Sequence, residues 1–341
     1  MQPYQPRNML VTGGAGFIGA NFIRHVLEHE PNINIINLDA LTYAGTLANL
    51  QFLSHPERYH FCQGDIGDEK LVPHLLQHHH IDTIVHFAAE SHVDRSIASP
   101  KAFIHTNVLG TYNLLEAARQ HWFMIEGRTI NECRFHHIST DEVYGSLTNE
   151  DQAFTEKTAY QPRSPYSASK AASDHFVHAY YHTYGLPMTL SHCSNNYGPY
   201  QHAEKFIPTI IRACLQKQKI PVYGNGKNIR DWLYVTDHCR GILAILKRGK
   251  LGEHYNMGAD NEWENKNLAL YICQEIAKIY PGFNYEKLIQ YVTDRPGHDF
   301  RYAINSNKIK EQLQWQPLES MESGLQKTIN FYENKKINLS S

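Results

Sequence analysis

Over its first 140 residues the chain alternates short, unbroken apolar runs with longer stretches in which apolar residues recur every three to four positions. The short runs are "NMLVTGG", "NINIINLD", "RYHFCQGD", "TIVHFAAE" and "CRFHHIST"; "FIGANFIRHVLEH" and "TNVLGTYNLLEAARQHW" have the helical period. A strand with one wet face alternates polar and apolar residues, whereas a strand covered on both faces is apolar throughout. The pattern therefore predicts an α/β architecture: a Rossmann-like, doubly wound parallel sheet covered by helices on both faces. In such sheets ligands bind beyond the carboxyl ends of the strands, and all five runs end there in Gly, Asp, Glu, Ala or Thr.

The later chain is less regular and is expected to form a smaller α/β domain for the substrate. The predicted division is residues 8–188 for the sheet domain, and 189–230 with 259–330 for the smaller one. "RDWLYVTDHCRGILAIL" and "EHYNMG" read as a helix and a strand that return to the first domain, around 231–258.

Charge narrows the partners. The 341 residues carry 32 Lys and Arg against 34 Asp and Glu, a net charge of −2. That balance has no electrostatic footprint for nucleic acid or an anionic membrane, so an anionic ligand must be held by a local site. No apolar stretch approaches the roughly 20 residues of a membrane span, and "MQPYQPRNMLVTGG" lacks the layout of a signal peptide. A cytoplasmic enzyme is expected. Six Cys, at 62, 133, 193, 214, 239 and 273, form no C-x-x-C pair and suit reduced, packed thiols. The run "HHH" at 78–80 follows the predicted helix "DEKLVPHLLQ"; adjacent residues seldom converge on one ion, so it reads as a solvated helix end and no metal is expected.

The turn "TGGAGFIG" places Gly13, Gly16 and Gly19, with Phe17 and Ile18, between the first strand and its helix. Glycines there let the backbone approach a pyrophosphate while the helix N-terminus offers free amides. Asp39 closes the second strand 20 residues after Gly19. An acid at that distance suits the ribose hydroxyls of NAD and repels the extra phosphate of NADP. Asp65 and Ile66, in "GDI", are placed to meet the adenine, and Asp68 equally well to cap the next helix.

In "YSASK", Tyr166 and Lys170 are four residues apart and share a helix face, where an ammonium can lower the phenol's pKa and reach a cofactor ribose. After a nicotinamide-type fingerprint, the pair supplies what hydride abstraction from a sugar carbinol needs, a base for the hydroxyl proton. The helix of this segment could also pack on its copy in a partner subunit, with Ala168, Ala171 and Ala172 for close approach. A last local signal is "HHISTDEVYG", where an apolar run ends in Thr140, Asp141 and Glu142. Adjacent carboxyls either mark a solvated loop tip or form an acid/base pair.

Taken in order, "TGGAGFIG", "FAAESHVDRS", "STDEVYG", "YSASK", "SNNYGPYQ", "RDWLYV" and "DRPGHD" resemble the extended short-chain dehydrogenase/reductase family, the NAD-dependent epimerases and dehydratases. The resemblance runs from about Met9 to about Trp315, and the Thr-Asp-Glu triplet points to its sugar-nucleotide 4,6-dehydratases. It implies an NAD-dependent hydro-lyase acting on a nucleotide sugar, dTDP-glucose with UDP-glucose left open, and a homodimer joined through a helix bundle. Thr140, Asp141, Glu142, Tyr166 and Lys170 would be catalytic: Glu142 the base at C5, Asp141 the acid at the C6 oxygen, Thr140 bonded to the C4 oxygen and Tyr166 the acceptor of its proton. Ala88, Ala89 and Asn196 would line the nicotinamide. Ser91, Val93, Asp94, Arg95 and Asn195 would lie near the sugar or phosphate. Glu204, Lys205 and Tyr223 would meet the nucleotide base, Arg230 and Asn265 the diphosphate, and Arg295 and His298 both. "ENKN" around Asn265 and Phe300 after "DRPGHD" depart locally from the family's pattern and put the base contacts in doubt. An epimerase or decarboxylase would need Tyr166 and Lys170 but no acid/base pair, and a binding protein without turnover would need none of the five.

Overall fold

A strand made of residues 134–140 is buried at all seven positions, and it lies near the middle of a seven-stranded sheet. The computed structural model describes residues 3–339, with side chains as far as Asn334. The first six strands are β1 (Asn8–Thr12), β2 (Asn34–Asp39), β3 (Tyr59–Gln63), β4 (Thr83–His86), β5 (Arg134–Thr140) and β6 (Met188–Cys193). Then come β7 (Asn195–Tyr197), β8 (Ile220–Tyr223), β9 (Ile229–Tyr234), β10 (His254–Met257), β11 (Glu262–Glu264) and β12 (Ile289–Val292). The main sheet has the order β10-β6-β5-β4-β1-β2-β3, every pair parallel. Its order reverses between β1 and β4, the place where such sheets open a crevice at their carboxyl edge.

Helices α1 (Phe17–His29), α2 (Leu71–His78), α3 (Val93–Ala98), α4 (Pro100–Phe103), α5 (Thr111–Arg119) and α6 (Pro165–Tyr184) alternate with these strands. The later helices are α7 (Phe206–Gln216), α8 (Val235–Arg248), α9 (Asn265–Ile279), α10 (Asn307–Leu313) and α11 (Met321–Leu339). One sheet face is covered by Phe22 and Val26 of α1 with Ile242 of α8 and Trp315; the other by Val72 of α2, Leu114 of α5 and Val177 of α6. A separate core, with Ile207, Ile211, Leu268, Ile272 and Leu325, holds the smaller unit together. Its sheets are β11-β9-β7 and β12-β8. Among the described residues no helix is long and apolar enough to cross a membrane.

Residues 229–234, the opening of the segment read as a helix, are instead strand β9. They pair with β7 and β11 in the smaller unit, and only from Val235 does the chain turn helical and pack α8 against α1. β10 does return to the main sheet, beside β6. The segment 106–122, expected as one helix, is α5 flanked by wider turns at Ile104–Gly110 and Gln120–Ile125. Wide turns release backbone carbonyls from the i→i+4 ladder. The Asn107 carbonyl accepts from Ser173 Oγ of α6 (2.6 Å), while its side-chain amide donates to Glu90 O (3.0 Å) and Ser169 Oγ (2.8 Å). That residue thus ties the edge after β4 to the helix carrying Tyr166.

Candidate active site

At the β1–α1 turn the backbone itself makes the surface. Gly13 has φ +70°, and a Cβ there would lie 2.7 Å from the Ala88 backbone; one on Gly19 would lie 2.4 Å from Gly13 O. Only glycine allows this close approach. Helix α1 starts at Phe17 without a side-chain cap, which leaves its first N–H groups for an anion. Asp39, at the end of β2, accepts from the N–H of Ala15 and of Leu41, both at 2.8 Å. Burial raises its pKa and these two donors oppose the rise. Asp68 accepts from the N–H of Lys70 and Leu71 at 2.9 Å and so caps the entry to α2, leaving Asp65 and Ile66 at the cleft wall. The cradle therefore fits a dinucleotide: a glycine floor, uncapped amides and a carboxylate at the end of the neighbouring strand.

The cleft encloses about 320 Å³. All the residues expected to meet the cofactor line it: Gly13, Gly16, Phe17, Ile18, Gly19, Asp39, Asp65, Ile66, Ala88, Ala89, Tyr166, Lys170 and Asn196. Ser91, Thr140, Asp141, Glu142, Asn195 and Lys205 line the same cleft. Val93, Asp94, Arg95, Glu204, Tyr223, Arg230, Asn265, Arg295 and His298 do not form its wall. Val93 opens α3 and Asn265 opens α9, where its N–H donates to Asn228 O at 2.9 Å. Arg95 stacks on Tyr43, 3.6 Å from the ring centre, and pairs with Glu204 at 3.7 Å. Asp94 accepts from the Tyr223 hydroxyl (3.4 Å) and faces Arg295 (3.5 Å), with His298 edge-on to the Tyr223 ring. Arg230 donates to Asp299 O (2.9 Å) and to the carbonyl of Phe300 (3.2 Å), so Phe300 contributes through its backbone. These residues form a rim of alternating charge beside the cleft.

β5 delivers the two carboxyls. Thr140 caps one short turn, Asp141–Tyr144, by accepting from Glu142 N–H at 3.3 Å. Gly145 ends it with φ +101°, packed so that a Cβ would be 2.8 Å from Gln161 O. Asp141 is buried and its Oδ2 has no hydrogen-bond partner among the described residues. Burial, then the charges of Glu142 and Asp231, push its pKa well above the ordinary value, against one opposing cation, Arg230. Glu142 is also raised by burial, but Arg295, Arg230 and Lys205 all act to lower it. Burial raises both carboxyls, but nearby cations offset the rise more at Glu142 than at Asp141, so of the two Asp141 is the one that keeps its proton more readily.

Tyr166 and Lys170 lie on one face of α6, which Ser164 caps through a reciprocal bond with Ser167 and Gly185 stops in the left-handed conformation. The expected direct pull of Lys170 on the phenol is not what the structure has. Burial, then Glu142, raise the Tyr166 pKa well above its usual value, and the hydrogen bond from Thr140 is the group that lowers it. The Lys170 ammonium is bonded to β5 instead, donating to Ile138 O (2.7 Å) and approaching His137 Nε2 (3.2 Å). Sequence reasoning missed Asp174 and His137 behind Lys170. The spacing Tyr166, Lys170, Asp174 repeats every four residues and was the available signal for Asp174. It also missed Thr42, Gly45 and His202 at the cleft wall, which lie in loops without a motif, and Gln201, which ends "SNNYGPYQ" but was given no role.

Residues 10–328 match the family model described as GDP-mannose 4,6 dehydratase. The chain is 50% identical over 333 residues to the dTDP-glucose 4,6-dehydratase of Shigella flexneri, covering 95% of this chain and 92% of that protein. It is similar to the crystal structure of the Bacillus anthracis dTDP-glucose 4,6-dehydratase in complex with NAD, with a TM-score of 0.85, 43% identity, and 97% and 98% of the two chains covered. A dTDP-glucose 4,6-dehydratase from Streptomyces venezuelae, solved with NAD and dTDP, gives a TM-score of 0.87 at 42% identity over 96% and 98% of the chains.

Proposed function

The chain belongs to the GDP-mannose 4,6-dehydratase family, and from that premise we propose that it converts dTDP-glucose to dTDP-4-keto-6-deoxyglucose and water, as an NAD-dependent hydro-lyase. The observation that carries this reading is the pair Asp141 and Glu142, set beside Tyr166 in one cleft, with the cations Arg295, Arg230 and Lys205 offsetting burial at Glu142 and Arg230 alone doing so at Asp141. An epimerase has no use for such a pair. The glycine floor and Asp39 would hold NAD, which when bound would supply the hydride acceptor for C4 and the hydride donor for C6 within one turnover.

The chain's own residues move the protons. Tyr166, as phenolate, takes the proton of the C4 hydroxyl, and Thr140 hydrogen-bonds the same oxygen. The ketone so formed acidifies C5, from which Glu142 removes a proton. Asp141 gives its proton to the C6 hydroxyl, which leaves as water; Glu142 then returns its proton to C5. Protons balance over the cycle: the one gained at Tyr166 equals the one lost at Asp141. Asn195, Arg230, Arg295 and Asn265 are assigned to the sugar and diphosphate, because guanidinium and amide donors fit phosphate oxygens, while Lys205, read from the resemblance as a base contact, lines the cleft with Glu142. Tyr223, His298 and Glu204 are assigned to the thymine side of the rim.

We also assign a second copy of the chain to the outer face of α5 and α6 and the turn before α5. Ile104 (54%), Leu109, Tyr112 (44%), Phe176 and Tyr184 are exposed there. A face of that kind marks an interface, and sedimentation should give a dimer.

The test of the reaction is mass spectrometry of products from dTDP-glucose and UDP-glucose. Loss of one water with preference for dTDP-glucose is expected. A product of unchanged mass would make the chain an epimerase.

A further inference from the structure

Behind the cleft, Lys170 stands at the head of a buried polar run that the reaction above does not use. Its Nζ is 3.2 Å from His137 Nε2, which in turn is 3.3 Å from Asp174 Oδ1. Lys170 is 4% exposed and Asp174 and His137 are 0% exposed. Asp174 Oδ2 accepts from Ser139 Oγ (2.8 Å) and the Tyr160 hydroxyl (3.1 Å), and faces His192 Nε2 (3.1 Å). His192 is held from its other side by Tyr144, whose hydroxyl donates to Asn256 Oδ1 at 2.8 Å.

We propose that Asp174, acting through the His137 ring, is a positioning residue for the oxidation step: it is the buried counter-charge that keeps Lys170 an ammonium, facing the cleft beside Tyr166. This rests on the reaction proposed above. Lys170 is bonded to Ile138 O rather than to the phenol, so its charge acts on Tyr166 only through the field across their shared cleft, and a buried ammonium stays charged only if an anion compensates its lost solvation. The groups facing Lys170 are few. His86 of β4 and His137 of β5 are rings that burial holds in their neutral form. Cys193 of β6 is a thiol that burial keeps protonated. Tyr166 and Asp174 lie on its own helix, and His192 and Tyr160 flank Asp174. Burial opposes the Asp174 charge too, but the bonds from His137 and His192 hold its pKa far below the usual range, so it is the anion of the set. Even with Asp174 in place, burial brings Lys170 down to about 8.

His137 explains why charge passes without direct contact. Its Nδ1 has no hydrogen-bond partner among the described residues, and its Nε2 sits between ammonium and carboxylate. With Nε2 unprotonated the ring accepts from Lys170; with Nε2 protonated it donates to Asp174. The ring therefore favours the charged lysine in one state and the carboxylate in the other.

The experiment is a 15N NMR titration of the Lys170 side-chain nitrogen in substrate-free protein, assigned with Lys170→Arg. The midpoint near 8 should fall by a unit or more in Asp174→Asn and return in Asp174→Glu. In single-turnover mixing with dTDP-glucose, the alkaline limb of NADH formation should move down in pH by the same amount, a tenfold loss per unit above the new midpoint. His137→Met, which removes the ring between Nζ and Asp174 but leaves the carboxylate and its bond from His192, should lower the midpoint by a smaller step and keeps the test open if Asp174→Asn does not fold. A loss of stability with an unmoved Lys170 midpoint would make Asp174 merely structural and overturn the proposal. Failure of the unsubstituted protein to form NADH would instead sink the reaction reading, leaving the titration result standing.

Discussion

The β1–α1 turn and the end of β5 face each other across one cleft and are built on opposite principles. The turn is a backbone surface: glycines, amides and a single carboxylate at its edge. The end of β5 is a side-chain surface in which the protonation of Asp141, Glu142 and Tyr166 is set by what surrounds them. A surface of the first kind tolerates nothing larger than hydrogen, yet has little to titrate. A surface of the second kind can keep its shape and lose its chemistry with the change of one atom.

The deepest cut to that distinction is Tyr166→Phe. It leaves the glycine cradle intact, so NAD should still copurify, while NADH formation on mixing with dTDP-glucose falls by about 10² to 10⁴-fold. Normal NADH absorbance would remove Tyr166 from its role. Next come the two carboxyls. Glu142→Gln should still oxidise C4 and accumulate bound NADH, with little deuterium entering C5 from heavy water. Asp141→Asn should permit that exchange and slow water loss by roughly 10² to 10⁴-fold. Identical exchange behaviour in the two variants would show that their different surroundings do not divide their work.

Gly13→Ala tests the other surface. A methyl group at φ +70°, 2.7 Å from the Ala88 backbone, should cost about 1–3 kcal/mol of stability and reduce the NAD content of the purified protein. The smallest effect expected is a gain. Asp141 has a folded-state pKa above its unfolded value, so its contribution to stability is intact below the unfolded pKa, near ~4, and is lost as pH rises through the raised folded value. Asp141→Asn removes that loss and should raise stability by ~1 kcal/mol at neutral pH and not at acid pH, measured by thermal unfolding at both.

The cradle was legible because everything that makes it is local. The turn, the uncapped helix start and the acid after β2 fall within some 30 residues, each with a sequence signal. β9 was misread because "RDWLYV" runs into the helix at Val235 with no Gly or Pro between them, so one apolar run hid two elements. His137 could not be picked out, since a strand buried on both faces gives no alternation to tell which side chains look toward α6. Asp174 was within reach, one further turn along the face that already held Tyr166 and Lys170. The rim around Asp94, Tyr223 and Arg295 joins segments some 130 to 200 residues apart, a proximity that no local pattern encodes.

The position of β10 bears on how the protein is made. The sheet leaves β6 at Cys193 and is closed on that side by residues 254–257 only after the chain has built β7, β8 and β9. During synthesis β6, whose six residues are all buried in the finished fold, is therefore an open edge for the sixty or so residues that must first emerge. Long-range parallel pairing of this kind is slow, and an unpaired edge is a template for another chain. A ribosome stalled within the smaller unit would release a sheet six strands wide with a sticky border, so for this fold the hazard of aggregation is concentrated in the interval between residues 193 and 254.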